Sequence, residues 1–131
     1  MIVIESSAMV DALVGDRLDT ELSNLLATEE LHAPALLDFE VASALRGHAL
    51  AGKLSESRLD EALTDFTALR VERYPMTDQL GSVVALRSNF TAYDAAYIVL
   101  AQALSAPIVT ADAKLLEASR LGVDIKVIRP S

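Results

Sequence analysis

Short apolar runs alternate along this chain with stretches whose apolar residues return every three or four positions. Alternating strand-like and helix-like periods predict an α/β protein. Residues 2–5 read as a short buried strand closed by Glu5. Ser6 and Ser7 are placed to cap a first helix reaching about Val14, with Gly15 ending it. Leu18, Leu22, Leu25 and Leu26 mark a second helix over 17–28, and Leu31 to Ala33 a brief second strand before Pro34. Asp38 is expected as the N-cap of a helix to about Ala51, with Val41, Ala44, Leu45 and Ala49 on its apolar face. Gly52 then stops it.

Ser55 starts the next helix, with Leu59, Ala62, Leu63, Phe66 and Leu69 on one side, and Arg70 to Tyr74 suggests a strand before Pro75. Thr77 can cap a helix to about Ser88. Thr91 opens the most apolar helix, to about Leu104. Pro107 to Thr110 is a buried strand, 113–119 a short helix, and Asp124 to Ile128 a last strand. Four or five short strands linked by helices predict a mostly parallel sheet with right-handed crossovers, in one domain over residues 1–131. The pattern leaves strand order open. It does fix the polar end, because open α/β sheets bind ligands beyond their carboxyl edge. Glu5 and Asp112 fall on that edge.

The 131 residues are 52% hydrophobic, enough for a proper core. No cysteine is present, which excludes disulfides and thiolate metal sites and suits an intracellular protein. The start, Met-Ile-Val-Ile-Glu, reads as a strand and not a signal peptide. The apolar run near 95–109 is broken by Gln102, Ser105 and Pro107, so no membrane span is expected and the cytoplasm is the expected compartment. The net charge of −8 argues against broad attraction to nucleic acid. A nucleic-acid substrate would need a local basic rim, or divalent cations over the acids. Basic partners gain plausibility, although the charge also serves solubility.

Four acids stand out: Glu5, Glu40, Asp94 and Asp112. Each has an ordinary explanation. Glu5 and Glu40 can offset a helix dipole, Thr91-x-x-Asp94 resembles a capping box, and Asp112 can cap the helix after it. Those explanations do not predict four acids on one edge of a parallel sheet. Carboxylate oxygens are the ligands that Mg²⁺ or Mn²⁺ prefer, and such an ion supports phosphodiester hydrolysis without a protein nucleophile. His32 and His48 are far apart and read as surface residues, not ligands.

The fragments Met1–Val10, Asp38–Arg46, Asn89–Tyr97 and Pro107–Asp112 together resemble the PIN-domain family, more narrowly the VapC-type ribonuclease toxins. The resemblance covers essentially the whole chain, and Thr-Ala-Tyr-Asp-Ala-Ala-Tyr with Thr-Ala-Asp is its most specific part. It implies a small parallel sheet flanked by helices and an acid cluster that binds Mg²⁺ or Mn²⁺ to cleave RNA. Glu40, Asp94 and Asp112 match family acids directly. Ser7 matches a small hydroxyl residue near the first acid, and Thr110 the hydroxyl before the last. Glu5 stands where the family ordinarily has Asp, one methylene shorter, which puts full activity in question. Lys114 occupies the neighbourhood where some relatives carry a fifth acid. A cognate antitoxin and a homodimer are implied as partners, with the alanines of the Thr91–Leu104 helix allowing close packing. Arg46 and Arg87 are candidates for holding RNA phosphate. Tyr93 and Tyr97 read as core or dimer-contact residues, since the 5% aromatic content argues against extensive base stacking.

Two alternatives stay open. One is a weakened or inactive PIN-like module that mainly binds its antitoxin. The other is a phospho-receiver-type domain, disfavoured because it lacks a paired Asp near the first acid.

Overall fold

Ile2–Ile4, buried throughout, forms the central strand β1 of a five-stranded sheet in the computed structural model, which describes residues 1–16 and 19–128. Leu31–Pro34 (β2) and Val71–Tyr74 (β3) follow on one side, and Ile108–Thr110 (β4) and Ile125–Val127 (β5) on the other. The order is β3-β2-β1-β4-β5, and every pair is parallel. The expected mostly parallel sheet is thus wholly parallel, with five strands.

The chain steps from β1 outward to β3, then crosses back to β4 and on to β5. Right-handed crossovers place the helices of the two excursions on opposite faces. On the first excursion run α1 (Ser6–Val14), α2 (Thr20–Thr28), α3 (Leu37–Leu50) and α4 (Glu56–Ala68). The return carries α5 (Leu80–Ala85) and α6 (Ala92–Leu104). Helix α6 packs along β1, β2 and β4, and residues Ala95 to Ala101 are all buried. The reversal of direction between β1 and β4 opens a crevice at their carboxyl ends, the place where such sheets hold ligands.

Several boundaries differ from expectation. Leu36, not Asp38, is the N-cap of α3, because the amides of Phe39 and Glu40 bond back to the Leu36 carbonyl. Asp38 therefore lies inside the first turn and pairs with Arg73 at 2.8 Å. Glu5, not a serine, is the N-cap of α1. The expected helix from Thr77 splits into a 3-10 turn (Thr77–Gln79) and the short α5, where Gly81, Val83 and Val84 are weak helix formers. Residues 113–121 wind as a 3-10 helix. Helix α2 starts at Thr20 behind an Asp19 cap, and the expected start at 17, with Leu18, lies outside the described residues. Gly52 does end α3 in the left-handed region, at φ +73°. The alanines of α6 at 95, 96 and 101 are buried inside the fold, while Ala92 and Ala103 are exposed.

Candidate active site

Parallel register decides which side chains meet at the crevice. Ile4 pairs with Val109, so Glu5 comes level with Thr110 just beyond the strand pairing. The Glu5 amide bonds the Val109 carbonyl at 2.9 Å, and Thr110 donates its hydroxyl to Glu5 Oε1 at 2.6 Å. Ser7 donates to the same oxygen and Ser6 to Oε2 at 2.9 Å. Ser6 and Ser7 thus hold the buried Glu5 carboxylate instead of capping the helix.

Glu40 and Asp94 reach the same edge from the first turns of α3 and α6. Helix α3 begins there because it follows the carboxyl end of β2, and α6 because it must run back from that edge to the start of β4. Thr91 caps α6, its hydroxyl accepting the Asp94 amide at 3.1 Å. This is the first half of the expected capping box, and such a cap is worth about 1 kcal/mol. Asp112 caps the 3-10 helix by accepting the Lys114 amide at 3.0 Å, as expected, and its own amide bonds Thr110 Oγ1 at 2.9 Å.

The charges of these acids act on one another. Burial raises the pKa of Glu40, and the negative charges of Glu5 and Asp94 raise it further, against the lowering hydrogen bond from Tyr97 and the nearby hydroxyl of Ser6. Burial likewise raises Asp94, with Glu5 and Asp112 adding to the rise, while Thr91 and the cation of Lys114 oppose it. Every one of the four acids therefore enters the balance, and proximity rather than burial alone unites them.

Two contributors escaped the sequence reading. Tyr97 is a core residue, 1% exposed, but its hydroxyl donates to Glu40 Oε1 at 2.7 Å across 57 positions. Burial and Glu40 push its pKa upward, so it remains a donor at any working pH. Ser6 is the second. No local signal marks either one, since partners so placed are visible only once the helices dock. Tyr93, expected in the core or at a dimer contact, is 65% exposed beside Asp94, as Phe39 is 80% exposed beside Glu40. His32, expected at the surface, is half-buried and bonds the Tyr74 hydroxyl at 2.8 Å. Arg46 and Arg87 are exposed. Arg46 lies six residues beyond Glu40, about 120° around the helix, and so faces away from that acid. Arg87 bonds the carbonyl of Val84 at 3.3 Å.

The donors on offer are all hard oxygens, which suits Mg²⁺ or Mn²⁺. Among the described residues no three His, Cys, Asp or Glu side chains close into a cage. Mg²⁺ keeps several waters and needs only one or two carboxylates. An open set of acids, in which the neighbouring charges help raise the pKa of Glu40 and Asp94, therefore fits this kind of ion.

The PIN domain profile matches residues 2–121 of this chain. The VapC ribonuclease Mb0985 of Mycobacterium bovis is 38% identical over 128 residues, spanning 98% of each chain. Ribonuclease VapC1 of Mycobacterium tuberculosis is 40% identical over 129 residues, 97% of each. The chain belongs to the PIN domain family, among its VapC ribonucleases. The crystal structure of PAE2754 from Pyrobaculum aerophilum shares the fold, with a TM-score of 0.68 at 23% identity over 96% of this chain and 83% of the other.

Proposed function

We propose that this protein is a metal-dependent endoribonuclease and the toxin of a toxin–antitoxin pair. The observation that carries the reading is the gathering of Glu5, Glu40, Asp94 and Asp112 about the switch point of the sheet, where Glu5 bonds Thr110 and Glu40 bonds Tyr97, and where the neighbouring charges add to the raised pKa of Glu40 and Asp94. Kinship with proteins named VapC ribonucleases supports RNA as the substrate. Mg²⁺ or Mn²⁺, when bound, supplies an activated water and stabilises charge on the phosphoryl oxygens.

The chain's own part is to bind and orient. Glu40, Asp94 and Asp112 present oxygens to the ion. Tyr97 fixes the Glu40 carboxylate with a charge-assisted hydrogen bond, worth about 1.5–3 kcal/mol. Thr110 and Ser7 hold the backbone on either side of Ala111. Lys114, whose charge reaches Asp94, joins Arg46 and Arg87 as exposed cations available to RNA phosphate.

A basic segment of a cognate antitoxin would satisfy the same acids and silence them. A homodimer fits the exposed Leu80 and Val84 of α5, apolar residues that a second copy can cover. Among the described residues no helix is long and apolar enough to cross a membrane. The cysteine-free composition and an RNA substrate support the cytoplasm as its compartment.

Purified protein incubated with single-stranded RNA and Mn²⁺ tests the reading. Cleavage to 5′-phosphate and 3′-hydroxyl ends, stopped by a chelator, is expected. No cleavage under any divalent ion would leave the second reading, a PIN-like module that only binds its antitoxin. Glu5 in the place of an Asp is what favours that alternative.

A further inference from the structure

Glu5 is the most enclosed of the four acids, 7% exposed, and its oxygens are heavily engaged. A carboxylate has about four lone-pair directions. Oε1 accepts the hydroxyls of Ser7 and Thr110, and Oε2 accepts that of Ser6. Three directions thus point at hydroxyls of this chain. Each hydroxyl has one proton, so Ser7 and Thr110 both spend theirs on Glu5. The 3.2 Å between their oxygens is then the approach of two donors sharing one acceptor.

The lone pairs of the same two hydroxyls are used as well. Ser7 Oγ accepts the Ala111 amide at 2.9 Å, and Thr110 Oγ1 accepts the Asp112 amide at 2.9 Å. A continuous set of bonds runs from the Glu5 carboxylate through two hydroxyls to the backbone that carries Asp112. It also ties the end of β1 to the end of β4, across the crevice where the sheet reverses.

We propose that Glu5 is a positioning residue and not an inner ligand of the metal: its carboxylate clamps Ser7 and Thr110, and through their amide contacts aims Asp112. The inference rests on the proposed function for what Asp112 is aimed at. The clamp itself can be measured without metal or RNA.

Side-chain length makes the clamp testable. Asp keeps the charge but is one carbon–carbon bond shorter, about 1.5 Å, and cannot reach all three hydroxyls. Gln loses the charge but keeps the reach. Its Oε1 accepts from Ser7 and Thr110, and its Nε2 donates to Ser6, whose hydroxyl can rotate. A clamp therefore ranks Gln above Asp, and a direct ligand ranks Asp above Gln.

The experiment is amide hydrogen exchange at Ala111 and Asp112 in metal-free wild type, Glu5→Gln and Glu5→Asp. Protection within a factor of about three of wild type is expected for Glu5→Gln. A loss of about tenfold, the factor one ordinary hydrogen bond carries, is expected for Glu5→Asp. Equal protection in the two variants, or better protection in Glu5→Asp, overturns the clamp. Thr110→Val and Thr110→Ser keep the test decisive should a Glu5 variant fail to fold. Val should lose Asp112 protection about tenfold while Ser retains it, and no difference between them overturns the proposal.

A second readout is the number of waters on bound Mn²⁺, counted by electron spin echo in D₂O. The number should be the same in wild type and Glu5→Gln, and one extra water in the variant would make Glu5 a ligand. If exchange behaves as expected but no RNA is cleaved, the nuclease reading fails while the clamp stands.

Discussion

Asp38 and Glu40 lie two residues apart on the first turn of α3, in opposite electrostatic company. Asp38 faces Arg73, which bonds both its oxygens at 2.8 and 3.1 Å and lies 5.5 Å over the Phe66 ring. Glu40 faces Tyr97 and the charges of two further acids, Glu5 and Asp94. The first acid has its counter-charge inside the fold; among the described residues the second is met by neutral hydroxyls. An acid with a built-in cation contributes to structure. Acids gathered without such a partner are what the proposed metal site would need, and this contrast separates two carboxylates that their sequence positions alone do not.

The largest effect that sharpens the contrast is expected from Asp94→Asn. RNA cleavage should fall on the order of 10²-fold or more. The metal-free variant should keep its circular dichroism spectrum and melt no lower than wild type, because a repelling charge has gone. Full activity in this variant would remove Asp94 from the site.

Next comes the ion itself. Binding to the native state alone, Mg²⁺ at a hundred times its dissociation constant stabilises by about 2.7 kcal/mol, roughly a 10 °C rise in Tm for a chain of this size. Calorimetry with and without saturating Mg²⁺ checks this. Asp38→Asn should leave that rise intact, whereas Glu40→Gln should shrink it.

The pH dependence has a definite sign. The pKa values of Glu40 and Asp94 are raised from ordinary values of 4.5 and 3.8. Below the ordinary values their contribution to stability is fully present, and it is lost as pH rises through the raised ones. Metal-free wild type should therefore lose stability relative to Glu40→Gln as pH climbs from about 4 past the raised values. Parallel Tm-against-pH curves for the two proteins would contradict the shift.

The smallest effect belongs to the other acid. The Asp38–Arg73 pair is partly exposed, at 43% and 32%, so Asp38→Asn should cost no more than about 1 kcal/mol. Urea melts would show this, with cleavage unchanged.

The strongly periodic parts of this fold are legible in the sequence. The apolar run of α6, the strand ending at Thr110 and the stop at Gly52 follow from patterns that tertiary contacts only reinforce. The four acids are legible for the same reason, since each sits at the junction of an element whose end the pattern marks. What the sequence hides depends on docking. Asp38 reads as a cap because its type suits one, yet the turn at Leu36 and the distant Arg73 claim it for another task. Ser6 and Ser7 read as caps until Glu5 is seen between them and Thr110. Tyr97 reads as core, which it is, but its hydroxyl finds Glu40 only when α6 brings it to the first turn of α3 at the carboxyl edge of the sheet.

The central claim is that the crevice between β1 and β4 holds a divalent cation. A crystal grown with Mn²⁺ and measured for anomalous scattering tests it most directly. A peak is expected in that crevice, in contact with oxygens of Glu40, Asp94 and Asp112. A saturated crystal with no peak there, or with Mn²⁺ bound only elsewhere, would contradict it.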